Sequence, residues 1–377
     1  MKANYIFPLL LVYVMLSPHL GAISLPLADF EKRISETYAI NRDGRVNLDN
    51  RYGQIKVVTW SQPQVKIDVL IKVQARNQEE FEKVLQRIDV TLSGGGNAVS
   101  ATTTVSSGES GSWWSFITGG GSSSDDFKIY YTVSMPATVE LQTKARYCDV
   151  ELPNLSGKTY LDVGYGDLVA GRLTGSSELD ISYGSARVEE VGAGSRVKLR
   201  YSEGSVRRAG NLSYDGRYSE VRFGSVGDIT LDIGYDEVDI ESAGTVRMDG
   251  NYNELSVKQA RSIYADGSYC DYDFGTVSEV LDIEGNYGDV DLDRLQAGFQ
   301  SVDIRVSYSD VQIDVDDAAG YTLDLRARYG DIDVPRDGLN PRNISNEGSS
   351  SSVTGTKAGT GSGTIKIDTN YGDIEIY

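Results

Sequence analysis

The sequence predicts an all-β fold: a single-stranded β-solenoid of 17–21-residue coils with an N-terminal strand-and-helix cap. Three observations carry this. An aromatic-acidic hexamer recurs in register, apolar residues alternate with period two on both sides of it, and helix-type periodicity is absent from the repeats. Glycine (41) and tyrosine (24) far outnumber proline (8), a mix suited to short strands with tight corners.

Taken in chain order, the first element is a secretory signal peptide over residues 1–24. It combines Lys2, an apolar run from Tyr5 to Leu16, and small residues at Gly21 and Ala22. The run is short for a membrane span, although an uncleaved anchor is the competing reading. Cleavage is expected between Ala22 and Ser24, with no cysteine there for lipid attachment, and no second long apolar run follows. The chain is therefore expected to be exported, to the periplasm, the outer-membrane surface or the medium.

Residues 25–140 depart from the rhythm of the repeat and read as the cap and a first coil. Strands are expected around Val46–Leu48, Gln64–Ala75, Asp89–Leu92, Ala98–Val105 and Phe127–Met135. A short helix is expected over 77–88, with Asn77 as N-cap and Phe81, Val84, Leu85 and Ile88 on one face. Residues 106–126 form a Gly/Ser-rich loop carrying Trp113, Trp114 and Phe116. These rings either fold back onto the cap or form a contact patch.

Residues 141–377 hold the repeat. Copies of the hexamer start at Tyr147, Tyr165, Tyr183, Tyr201, Tyr218, Tyr235, Tyr252, Tyr269, Tyr287, Tyr308, Tyr329 and Tyr371. They are spaced 18, 18, 18, 17, 17, 17, 17, 18, 21, 21 and 42 residues apart, and an isolated earlier copy runs from Tyr52 to Val57. Two and four residues before a tyrosine the chain is apolar, as at Leu161 and Val163 or Leu231 and Ile233. Three and five residues after it the chain is apolar again, as at Val238 and Ile240. The change of parity demands a corner at the tyrosine. A third apolar column follows eight residues after it, including Leu155, Leu173, Val191, Val226, Val277 and Leu295. One coil cannot bury its own apolar face, so the coils must stack. At about 4.8 Å per rung, twelve coils make a rod of roughly 55–60 Å.

Stacking converts columns of the sequence into ridges. The tyrosines are expected to form a ladder, chiefly a packing device, with an exposed aromatic face for sugars as the alternative. Two residues later runs an acidic row: Asp149, Asp167, Glu203, Glu220, Glu237, Glu254, Asp271, Asp289, Asp310, Asp331 and Asp373. Its carboxylates either accept backbone N–H bonds at the corners or form a ridge for Ca²⁺, the one cofactor that enters consideration. Cys148 and Cys270 each follow a ladder tyrosine seven coils apart, a span of about 33 Å. A disulfide needs Cα atoms within about 7 Å, so no bond joins these two. Residues 336–363, rich in Pro, Asn, Ser and Gly, read as a mobile surface excursion between the last two coils. The terminal Ile374-Glu375-Ile376 is a final strand.

Charge and residue usage narrow the function. The formal charge is −19, and about −20 without Lys2. Such a chain repels phosphate backbones, so nucleic acid is excluded as a partner, while cations, basic proteins and neutral glycans stay open. The one histidine, His19, lies in the signal peptide. The rest of the chain has no imidazole for a nucleophile pair or a metal.

The Tyr-Gly-Asp-[Val/Ile]-x-[Ile/Leu] coils, the Trp113-Trp114 loop followed by Val133-Ser134-Met135-Pro136, and the closing Tyr-Gly-Asp-Ile-Glu-Ile resemble the bacterial "putative adhesin" family of exported β-solenoids. The resemblance spans residues 30–377 and implies an adhesin or envelope scaffold with no catalytic residues to carry over. Two other functions stay open. One is a polysaccharide lyase or hydrolase using stacked carboxylates with Arg200, Arg217 or Arg222. The other is an envelope regulator that meets a protein partner through the Trp113–Phe116 loop; envelope proteins and glycans are the partners left open.

Overall fold

The computed structural model describes residues 27–106, 127–335, 338–340 and 342–377. It is an all-β solenoid with one short helix. Each central coil has two short strands meeting at the tyrosine corner. Ser177–Ser182 runs into Tyr183, for example, and Ser185–Val191 leaves it. Successive coils pair parallel and in register: Ser195–Arg200 lies on Leu212–Arg217, which lies on Ile229–Gly234. Among the described residues, no helix is long and apolar enough to cross a membrane.

The apolar columns fill the interior as the alternation requires. Leu161, Val163, Leu231 and Ile233 before the corner, and Val238 and Ile240 after it, are all buried. Leu173, Val191 and Val277 of the third column are buried too, while the alanines at 209 and 243 are only partly covered. Each buried Leu, Ile or Val contributes roughly 1.5–3 kcal/mol, which a single coil could not secure without its neighbours.

The cap is built from β1 (Ala28–Trp60), β2 (Gln64–Ala75), α1 (Gln78–Leu85), β3 (Ile88–Val105) and β4 (Phe127–Pro136). Asn77 caps α1, its Oδ1 accepting the Glu80 N–H at 3.0 Å. Phe81 and Val84 are buried, and Phe81 stacks on Phe30 at 5.2 Å. Ile88 opens β3 instead of closing the helix.

Order in space departs from order in the chain at both ends. The second half of β1 pairs parallel with β3 and β4 on one side. On the other it pairs with β5 (Glu140–Leu152). The coil around Tyr52 therefore lies inside the coil that follows it in sequence. The same exchange occurs at the C-terminal end. Strand Thr360–Asn370 pairs parallel with Ser301–Ser307 on one side and with Ala319–Arg328 on the other. The last coil of the chain is thus the penultimate coil of the rod.

This corrects the reading of 336–363 as an excursion without strand pattern. Asn343–Glu347 and Ser350–Lys357 form an antiparallel hairpin, and the second strand pairs antiparallel with Ala319–Arg328. A strand that closes a stack has one wet face, so it needs few apolar residues. Val353 is buried here while its Ser and Thr neighbours are mostly exposed. At the opposite end, β2 pairs antiparallel with the first half of β1 and with β4. Both ends of a parallel stack are thereby closed by antiparallel strands, which blunts edges that would otherwise recruit further chains.

Candidate functional site

The tyrosine corner is the most distinctive surface of the molecule. Thirteen tyrosines occupy it, the twelve expected plus Tyr52, and all have φ between 50° and 62°. They are the only non-glycine residues with positive φ among the described residues. A side chain in this left-handed region costs about 1–2 kcal/mol. The position turns the strand while keeping its N–H bonded to the next coil, as from Tyr165 to the Ser182 carbonyl at 2.9 Å.

What offsets that cost is stacking. Adjacent rings lie 4.6–5.5 Å apart, centroid to centroid, with planes within 2–11° of parallel. Each such pair is worth about 0.5–1.5 kcal/mol beyond its buried area. Twelve of the rings nevertheless remain 44–56 % exposed. Phe127 closes one end of the ladder edge-on against Tyr52, at 5.6 Å and 76°. The other end is Tyr329, stacked only on Tyr371. Because ring faces cover one another, what meets solvent is a row of ring edges and hydroxyls. A sugar platform uses open ring faces, so the ladder does not offer one along its length.

The residue after each tyrosine points inward, and its identity decides the corner chemistry. Where it is glycine, the backbones approach closely: a Cβ on Gly184 would sit 2.0 Å from the Gly166 carbonyl oxygen. Where it is Ser202, Ser219, Asp236 or Asn253, the side chain is buried and accepts a backbone N–H from the preceding coil. Those donors are Gly184, Ser202, Ser219 and Asp236, at 2.9–3.3 Å. Cys148 and Cys270 fill the same slot as free, buried thiols. Burial pushes the Cys148 thiol up to about 12 and raises that of Cys270, so both are inert neutral groups.

Asp236 is the one carboxylic acid of that inner column among the described residues. Its Oδ2 accepts from the Tyr214 hydroxyl at 3.2 Å, and it occupies space that only a glycine at 216 leaves free. Burial pushes its carboxyl up to about 6, against the opposing pull of the Ser219 N–H, Tyr214 and Arg217.

The acidic row divides in two. Asp149, Asp167, Asp271, Asp289, Asp310 and Asp373 each accept a backbone N–H of the neighbouring coil at 2.7–3.2 Å. Asp331, on the outermost coil, is the last to donate its N–H in this way. Glu203, Glu220, Glu237 and Glu254 are one methylene longer. Their backbone N–H groups bond to the carbonyls of Gly184, Ser202, Ser219 and Asp236. The Glu237 carboxyl is raised by partial burial and then by Glu220 and Glu254 beside it. A shallow groove runs between these carboxylates and the edges of Tyr201, Tyr218 and Tyr235. Among the described residues, no three or more His, Cys, Asp or Glu side chains come together as a metal-holding group.

A second acidic row escaped the sequence reading. It lies three residues before the tyrosines, at Asp162, Asp180, Asp215, Asp232, Asp249 and Asp266. Arginines from the preceding coil pair with it, Arg146 to Asp162 and Arg217 to Asp232, each at 2.6 Å. Lys144, Lys198, Arg305 and Arg326 interrupt the column, which is why its period is easy to miss. Trp113, Trp114 and Phe116, and the signal peptide, lie outside the described residues.

Residues 100–377 match the family model described as Toastrack DUF4097. No match was found among curated proteins. Among solved structures, the chain is similar to a putative cell adhesion protein from Clostridium sporogenes at 8% identity and a TM-score of 0.19, covering 92% of this chain and 99% of that one. It is also similar to a putative adhesin from Parabacteroides distasonis at 9% identity and a TM-score of 0.26, covering 92% and 97%. A putative lipid binding protein from the same organism is similar at 9% identity and a TM-score of 0.27, covering 92% and 96%.

Proposed function

The chain belongs to the Toastrack DUF4097 family, and from that premise we propose that it is an exported, non-enzymatic rod that binds or scaffolds components of the cell envelope. The observation that carries this reading is repetition. A tyrosine recurs at all thirteen corners and a carboxylate two residues later at eleven of them, so the exposed strip is nearly uniform along the rod. A catalyst needs groups of different roles converging on one reacting atom. A binder gains from many equal contacts along one line.

The working surface is the corner strip, where exposed tyrosines border carboxylates. Tyrosine supplies large contact area and a hydroxyl with little side-chain entropy to lose. The test is retention of envelope proteins and glycans on immobilised chain lacking residues 1–24. We expect specific retention that Tyr201→Asn, Tyr218→Asn and Tyr235→Asn together reduce, since asparagine tolerates the left-handed corner. No retention would remove the binding reading. Turnover of any polysaccharide in a screen with and without Ca²⁺ would favour a carbohydrate-active enzyme instead.

A further inference from the structure

We propose that the corner strip docks side by side onto a cross-β protein fibre bearing cationic side chains. This rests on the binding reading above and names its partner class. Pitch selects the partner. Between Tyr147 and Tyr329 the rings repeat every 4.6–5.1 Å, and neighbouring planes differ by at most 11°. The ladder is therefore long and evenly spaced. A partner can engage many rungs at once only if it has the same repeat.

A helix and a single extended strand fail that condition, whereas another β-solenoid of this pitch meets it. A helix has a pitch of about 5.4 Å and falls half a rung out of step after about four rungs. An extended strand lying along the rod repeats its side chains every ~6.8 Å on one face. A cross-β fibre stacks identical side chains every 4.7–4.8 Å along its axis, in ladders with little twist. Of these three, only that surface stays in register with the strip over the roughly 53 Å from Tyr147 to Tyr329.

Charge selects among surfaces of that pitch. The formal charge of −19 opposes pairing with a second copy of this chain. Beside the ladder, the backbone N–H groups of Glu203, Glu220 and Glu237 bond to carbonyls of the neighbouring coil, Glu220 pairs with Arg222 at 2.7 Å, and the Glu237 carboxyl is raised by burial and then by Glu220 and Glu254. A ladder of lysines or arginines on the fibre would relieve that repulsion rung by rung, while tyrosine edges pack against the aliphatic stems. Equal weak contacts then add along the strip.

The experiment is co-sedimentation of the chain lacking residues 1–24 with preformed fibrils of a basic lysozyme. Native lysozyme, of the same composition and charge, is tested in parallel by a solution binding assay. We expect saturable binding to fibrils and at least about tenfold weaker binding to native lysozyme. Tyr201→Asn, Tyr218→Asn and Tyr235→Asn together should weaken fibril binding about tenfold while the thermal transition persists. Should those substitutions unfold the chain, Glu203→Gln, Glu220→Gln and Glu237→Gln provide the second set, with the same expected loss. Equal affinity for fibrils and native lysozyme, or fibril binding unchanged in a folded variant, overturns the proposal. Retention of envelope components without fibril binding would leave the broader binding function standing and sink this inference alone.

Discussion

At the scale of the residue, the molecule is governed by a tyrosine in a conformation that tyrosine rarely adopts. At Tyr218, with φ of 55°, stacking on Tyr201 at 4.9 Å and on Tyr235 at 4.8 Å outweighs the strain. Tyr218→Gly would relieve the left-handed backbone but remove both stacks. We expect a net loss of about 1–2 kcal/mol in urea unfolding, and a stabilised variant would show that stacking does not hold the corner. Asp236 offers a pH test. Its folded-state carboxyl, pushed up to about 6, lies above the unfolded value, so the folded state holds the proton more tightly. The associated stability is present below about pH 4 and is lost as pH rises through 6, on the order of 2–3 kcal/mol. Asp236→Asn keeps an acceptor for the Ser219 N–H and stays neutral. The variant should be more stable than the parent at pH 7.5 and equal to it near pH 4, read as the difference between their melting curves.

At the scale of the element, the ends carry the less expected design. The C-terminal coil contributes four buried isoleucines, Ile365, Ile367, Ile374 and Ile376, to the space between two earlier coils. Each is worth about 1.5–3 kcal/mol. Truncation after residue 358 therefore opens a gap inside the rod instead of shortening it. We expect limited proteolysis of the truncated chain to cut within 319–334, which loses its parallel partner. Protection of that segment would mean the outer coil can dock directly on 301–315. The corner types also belong to this scale. Spacings of 17 residues run from Tyr201 to Tyr269. Those coils start with Ser-Glu, Asp-Glu or Asn-Glu, where the buried side chain accepts the neighbouring N–H. In the Gly-Asp coils the aspartate instead accepts, from outside, the N–H of the residue two positions after the neighbouring coil's tyrosine.

At the scale of the whole molecule, rows of like charge run the length of a rod. Cross-coil pairs such as Arg217–Asp232 at 2.6 Å and Lys258–Glu241 at 2.6 Å offset only part of the repulsion. Exposed pairs of this kind contribute little each, about 0–1 kcal/mol. Raising NaCl from low concentration to ~0.5 M, where the screening length falls to a few ångströms, should raise the midpoint of thermal unfolding. A fall would show that the ion pairs outweigh the repulsion. The same field opposes edge-to-edge pairing between copies of the rod.

Much of this architecture was written in the sequence because a solenoid couples near neighbours. Period-two alternation fixed which side of each strand is buried, and the tyrosine spacing fixed the coils and the ladder of Tyr147 to Tyr371. The odd offset between apolar columns fixed the corner, and the distance between Cys148 and Cys270 kept their thiols apart. Three things were decided only by the tertiary structure. The left-handed backbone at each tyrosine depends on the neighbouring coil that accepts its N–H and stacks its ring. The closure of ring faces against one another depends on rungs brought into contact from 17 or more residues away. The interleaving of the last coil, and the hairpin hidden in the polar 343–357 segment, depend on which edge of the stack is left open. A pattern read along the chain reports what each strand must bury; it does not report which strand will come to cover it.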